Sequence, residues 1–132
     1  MNSDGQAAAA GSGRYPGQAP IDAYGNGGFR FAGMSHRGAI LCLPSAILVW
    51  RPSAVDDIGE PDLAAVLAEP RAVKHLLIGT GLRFALPPRA ILRRLADAGI
   101  GAEPMDTGAA CRTYNILLSE RRPVAAALLP VA

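Results

Sequence analysis

The stretch Ala102–Arg122, AEPMDTGAACRTYNILLSERR, decides the fold. It reads as the end of a strand, a sharp turn and a helix. Asp106 and Thr107 both carry a side-chain oxygen that accepts from the first free helical N–H groups, so one of them is the expected N-cap. Ala110, Cys111, Tyr114, Leu117 and Leu118 then fall on one helical face. Arg112, Asn115, Ser119 and Arg122 recur on a neighbouring polar face. Arg121-Arg122-Pro123 ends the helix, with positive charge at the negative end of its dipole. The apolar run Val124–Leu129 follows as a closing strand.

The same alternation repeats upstream of that stretch. Ile100–Met105 is a strand, and Pro87–Ala98 before it is a helix. Pro88 opens this helix, Ile91, Leu92 and Leu95 pack inward, and Gly99 is the left-handed stop. Val73–Ile78 is the most strand-like run in the chain and ends in the turn Gly79-Thr80-Gly81. Glu60–Glu69 is a helix with Pro61 at its first position and Pro70 as its stop. Three short strands precede it, at Phe29–Met34, Ala39–Leu43 and Ile47–Trp50, with His36-Arg37-Gly38 as a turn. Ile21–Gly28 is rich in turn residues. Met1–Pro20 is small, polar and rich in Gly and Ala, and reads as a flexible tail ahead of a single domain at 21–132. The order βββ-α-β-α-β-α-β predicts an α/β, three-layer domain with a mixed, largely parallel central sheet.

Composition narrows the partners. The 132 residues suit one domain, and their 13 basic and 11 acidic residues are dispersed. No basic tract of the kind that grips phosphate backbones is present, so no nucleic-acid partner is expected. The longest apolar stretch, Ala39–Trp50, is broken by Pro44-Ser45 and falls short of the roughly 20 residues that span a membrane. Peripheral association with a membrane complex stays open. The start lacks the marks of a signal peptide, and a cytoplasmic setting is expected. Cys42 and Cys111 sit in apolar runs, outside any C-x-x-C, and are expected to be reduced and buried.

The chemistry-bearing motifs are weak. IGTGLRF (Ile78–Phe84) places Gly79 and Gly81 at two positions of a dinucleotide fingerprint, but Phe84 occupies the third. A tight turn is the simpler reading. His36 and His75 stand alone, and Cys111 lies on an apolar helix face that would keep its thiol inert. Asp56, Asp57, Glu60 and Asp62 cluster around a helix start, where the dipole favours them. No catalytic residue, cofactor or metal is expected. If Arg112 and Asn115 are partly buried, each polar atom needs a partner, and the 105–107 turn and the 79–81 loop are the candidates. Both loops would leave the same edge of a parallel sheet, where open α/β sheets hold ligands.

Three segments together, IDAYGNGGFRF, LLIGTG and MDTGAACRTYNILLSERRPVAAALLPV, resemble a known family. It is the domain of unknown function shared by small bacterial proteins, the mitochondrial NADH dehydrogenase (complex I) assembly factor three and the adipogenesis-associated proteins of animals. The resemblance runs from about Ile21 to Val131. It implies a three-layer fold with a mixed central sheet and no established catalytic residues. The mitochondrial member is an assembly chaperone that acts with a partner protein at the membrane-arm region of complex I. By analogy, the expectation is a non-enzymatic binding or assembly factor with a protein partner. Gly79, Gly81, Asp106, Thr107, Arg112, Asn115, Glu120 and Arg122 carry the pattern, and with Thr80 they are the candidate surface. The alternative is a domain that binds a small anion or nucleotide through loops 79–81 and 105–112. Oligomeric state cannot be read from the sequence.

Overall fold

The structure is a computed structural model and describes residues 14–69 and 73–132. Positions 1–13, most of the expected tail, and 70–72, with the expected helix stop at Pro70, lie outside the described residues. The strands are β1 Arg14–Pro16, β2 Ile21–Gly25, β3 Gly28–Phe31, β4 Met34–Arg37, β5 Ile40–Cys42, β6 Ala46–Val49, β7 His75–Gly79, β8 Gly101–Met105 and β9 Val124–Leu128. The helices are α1 Ala64–Leu67, α2 Arg89–Asp97 and α3 Thr107–Ser119.

The central sheet has the order β1-β6-β5-β9-β7-β8. β8, β7 and β9 run parallel. β9 also pairs antiparallel with β5, which continues through β6 to β1. The sheet is therefore mixed, with its parallel half built by the α/β alternation expected downstream of residue 60. β9 is the pivot between the halves. All five of its residues, VAAAL, are buried, as a central strand covered on both faces requires. Pro104 lies in the edge strand β8, where a missing N–H is tolerated.

Alternation along the strands sends side chains into two cores. One face gathers Leu41, Leu76, Ile78, Ala125 and Ala127 against Trp50, Leu63 and Val66 and the α2 residues Ile91 and Leu95. The other gathers Ile40, Cys42, Leu77, Ala126 and Leu128 against Ala110, Cys111 and Tyr114 of α3, and against Phe29 and Phe31. The layers are thus α1 and α2, the central sheet, then α3 with a small second sheet. Gly99, at φ +79°, ends α2 as its composition predicts.

The part of the chain before β7 differs from expectation in four ways. Residues 14–16 are β1, paired with β6, within the stretch expected to be tail as far as Pro20. Ile21–Gly25 is a strand, and so is Met34–Arg37, which contains the expected turn residues His36-Arg37. Phe29–Phe31 joins these two in a separate sheet, β2-β3-β4, rather than the central one. Among the described residues, six strands therefore precede α1. The cause is turn chemistry. Asn26-Gly27 and Ala32-Gly33 all have positive φ, which gives two tight hairpins of the primed type. Finally, the segment read as the helix Glu60–Glu69 begins as a 3-10 turn, Glu60–Leu63, before α1.

Candidate functional site

The C-terminal ends of β7 and β8 share one edge, and the two loops leaving them are stitched to each other. Thr107 is fully buried and is the centre of the stitching. Its hydroxyl donates to the Leu129 carbonyl at 2.7 Å and accepts from the Gly81 N–H at 2.9 Å. Its N–H donates to the Gly81 carbonyl at 2.8 Å. Thr80 ties the same loops through its N–H, which donates to the Met105 carbonyl at 2.9 Å. The Thr80 hydroxyl donates to the Arg83 carbonyl at 2.7 Å and accepts from the Ala85 N–H at 3.1 Å. Asp106 is the N-cap of α3, accepting from the Ala109 N–H at 2.9 Å.

The glycines of this loop serve close approach. A Cβ on Gly79 would stand 2.9 Å from Thr107 Oγ1 and 3.1 Å from Thr107 Cα, so only glycine lets the start of α3 sit on β7. Gly81 takes φ +106°. An anion cradle needs free N–H groups, yet those of Thr80, Gly81, Thr107 and Ala109 are all engaged within the chain. The loops 79–81 and 105–107 form a brace, with those four donors spent on it.

What the brace holds is the segment between Gly81 and α2. It carries Leu82, Phe84 and Leu86, which are 72%, 59% and 65% exposed. Three large apolar side chains in five residues form a concentrated apolar display. They lie in no periodic element, which hides them in one dimension. Their i, i+2, i+4 spacing beside two prolines was the available signal.

The remaining candidate residues lie elsewhere. Asn115 does not reach the 79–81 or 105–107 loops. Its Oδ1 accepts from the Ile21 N–H and its Nδ2 donates to the Ile21 carbonyl, both at 2.8 Å. It thereby fixes the first strand of the small sheet onto α3. Tyr114 adds a second tie, donating to the Ala19 carbonyl at 3.1 Å. Arg112 is exposed on α3 and, among the described residues, makes no hydrogen bond to either loop. Glu120 and Arg122 follow the far end of the helix, exposed and paired at 3.9 Å. Thirteen helical residues separate the two ends by about 20 Å. Eight of the nine residues therefore form a brace, a strand tie and a helix-end pair, Arg112 stands apart from all three, and the nine share no single pocket.

Neither cysteine is an activated nucleophile. Cys42 and Cys111 are free and buried. Burial pushes the Cys111 thiol up to about 12, with Arg112 opposing weakly, and raises Cys42 further. His75 pairs with Glu103 at 3.3 Å on the exposed surface. The acidic cluster is spent on structure: Asp62 binds Arg51 and accepts from the Gly59 N–H, and Glu60 meets Arg94.

Residues 21–129 match a family described as protein of unknown function (DUF498/DUF598). The chain belongs to this family. Among similar proteins, an uncharacterised protein of Rhodobacter capsulatus is 44% identical over 117 residues, which are 89% of each chain. NADH dehydrogenase (ubiquinone) 1 alpha subcomplex assembly factor 3 of Xenopus tropicalis is 37% identical over 111 residues, 83% of this chain and 60% of that one. The chain thus spans less than two thirds of that relative. Among solved structures, an outer membrane protein of Bartonella henselae superposes with a TM-score of 0.84 at 47% identity, covering 89% of this chain and 99% of that one. In this DUF498/DUF598 member the M-D-T segment builds the brace just described. Among the described residues, no helix is long and apolar enough to cross a membrane.

Proposed function

We propose that this protein is a non-enzymatic binding factor that assists assembly of a respiratory membrane complex, docking on a protein subunit through Leu82, Phe84 and Leu86. The observation that carries the reading is that concentrated apolar exposure on a loop whose base is cross-linked by Thr80, Gly81 and Thr107. A rigid base lowers the ordering cost of docking, and a buried aromatic anchor is the usual source of interface energy. The similarity to assembly factor 3 supports the class of partner. Arg83, between the apolar side chains, adds a cation at the rim and favours an acidic border on the partner.

The test is genetic and biochemical. Chromosomal replacement with a Leu82→Ser, Phe84→Ser, Leu86→Ser variant is expected to lower fully assembled NADH dehydrogenase on native gels, with the variant protein at normal abundance. Normal assembly at normal abundance would refute the reading. The Arg112→Ala variant, altered on the polar face of α3, is expected to assemble normally.

A further inference from the structure

The small sheet has an outer face that the docking loop does not use. Phe29 and Phe31 point into the core, so alternation sends Arg30 outward. Pairing sets Ala23, Arg30 and Ser35 in one row across the three strands, and Gly25, Gly28 and Arg37 in the next. Arg30 and Arg37 are therefore diagonal neighbours on adjoining strands. Two glycines share the second row with Arg37 and leave its surface low. A depression of about 480 Å3 lies here, lined by Tyr24, Asn26, Arg30, Ser35 and Arg37 among others, with no carboxylate in its wall. That volume falls in the range of small-ligand sites.

The charge arrangement is unbalanced. Like charges on adjoining strands repel. Arg51, Arg94 and Arg122 each have an acid within ion-pair distance, whereas Arg30 and Arg37 have none among the described residues. Their separation on the lattice of the sheet suits one group with several oxygens, since each guanidinium offers a planar fork to an oxyanion. The Arg37 fork is held near the β2–β3 turn, where a Cβ on Gly27 would stand 3.5 Å from Nη1.

We propose that this concave face binds a small ligand through an oxyanion, phosphate or carboxylate, held between Arg30 and Arg37 with the Ser35 hydroxyl as a further donor. The rest of the depression takes the body of the ligand. The site is separate from the loop 82–86 and stands whether or not that loop docks a protein.

Amide NMR of the full chain, titrated with inorganic phosphate and separately with citrate, tests this. The expected result is saturable shifts confined to residues 23–30 and 35–37. Arg30→Gln and Arg37→Gln are each expected to weaken binding about tenfold or more, as loss of a charge-assisted bond predicts. Arg89→Gln, on α2, is expected to leave it within twofold. Either arginine variant suffices if the other fails to give a folded spectrum. Co-sedimentation with phosphatidylglycerol vesicles separates a lipid headgroup from a free ligand. No saturable shift with either anion, an equal loss in Arg89→Gln, or binding to vesicles alone would overturn the proposal.

Discussion

Replacing Thr107 by valine keeps the shape of the side chain and removes its hydroxyl. That hydroxyl joins three segments: it donates to Leu129 after β9, accepts from Gly81 after β7, and belongs to the first residue of α3. Valine leaves the fully buried Leu129 without this donor and the half-buried Gly81 N–H without its acceptor. A buried polar group stranded in this way costs about 1–3 kcal/mol, with the more accessible Gly81 toward the low end. The sum is about 2–4 kcal/mol, a large share of the roughly 5–15 kcal/mol that holds a domain of this kind folded. At about 4 °C per kcal/mol for this size, the melting temperature drops by roughly 8–16 °C. Urea unfolding followed by circular dichroism reads the same quantity, with a lower midpoint and an unchanged slope. Thr107→Ser keeps both bonds and loses one methyl, at a cost of about 1 kcal/mol. A valine variant within about 0.5 kcal/mol of the parent, a change typical of surface positions, or a serine variant as damaged as the valine one, refutes the brace.

Other predictions follow from single contacts. Asn115→Ala frees the Ile21 N–H and carbonyl, so stability falls by about 1–3 kcal/mol. Hydrogen exchange at the Ile21 amide is expected to accelerate, and an unchanged rate would count against the strand tie. Burial pushes His36 below the ordinary histidine range, against a bond to the Ala39 backbone, and its Nε2 has no hydrogen-bond partner. The unfolded chain therefore binds the proton first as pH falls. Stability is full above about pH 6.5 and declines as pH drops toward and through the folded value. Melting curves at pH 7.5 and pH 5 are expected to show a smaller loss in His36→Phe than in the parent. An equal loss would assign the decline to other groups.

The sequence yielded the parallel half of the fold because each element there carries several agreeing signals. Pro88 and Gly99 bracket α2, Asp106 caps α3, and β7 and β9 are continuous apolar runs of buried-strand length. The small sheet was harder to see. Its strands are four or five residues long, and only Phe29 and Phe31 alternate cleanly with polar neighbours. Asn26-Gly27 was a hairpin signal in plain view, but Ala32-Gly33 was not, because alanine at φ +51° is an unfavoured choice. At the site, Gly79, Thr80, Gly81, Asp106 and Thr107 were legible as a group, since their loops leave one sheet edge. Their roles were not, because a glycine that admits a phosphate and a glycine that admits Thr107 look alike in one dimension. Helical spacing puts Asn115 on the polar side of α3, whereas its partner lies 94 positions away at Ile21. Helical periodicity fixes the face of a residue and leaves open what packs there.

Docking of the braced loop on a protein subunit would bring Leu82, Phe84 and Leu86 into direct contact with it. Site-specific photocrosslinking in living cells tests it most directly, with a diazirine amino acid at position 84 and, as the control, at the exposed Asp97 at the far end of α2. One discrete adduct is expected from position 84, containing a subunit of a membrane respiratory complex, and no such adduct from position 97. No adduct at 84, or the same adducts from both positions, would contradict that docking.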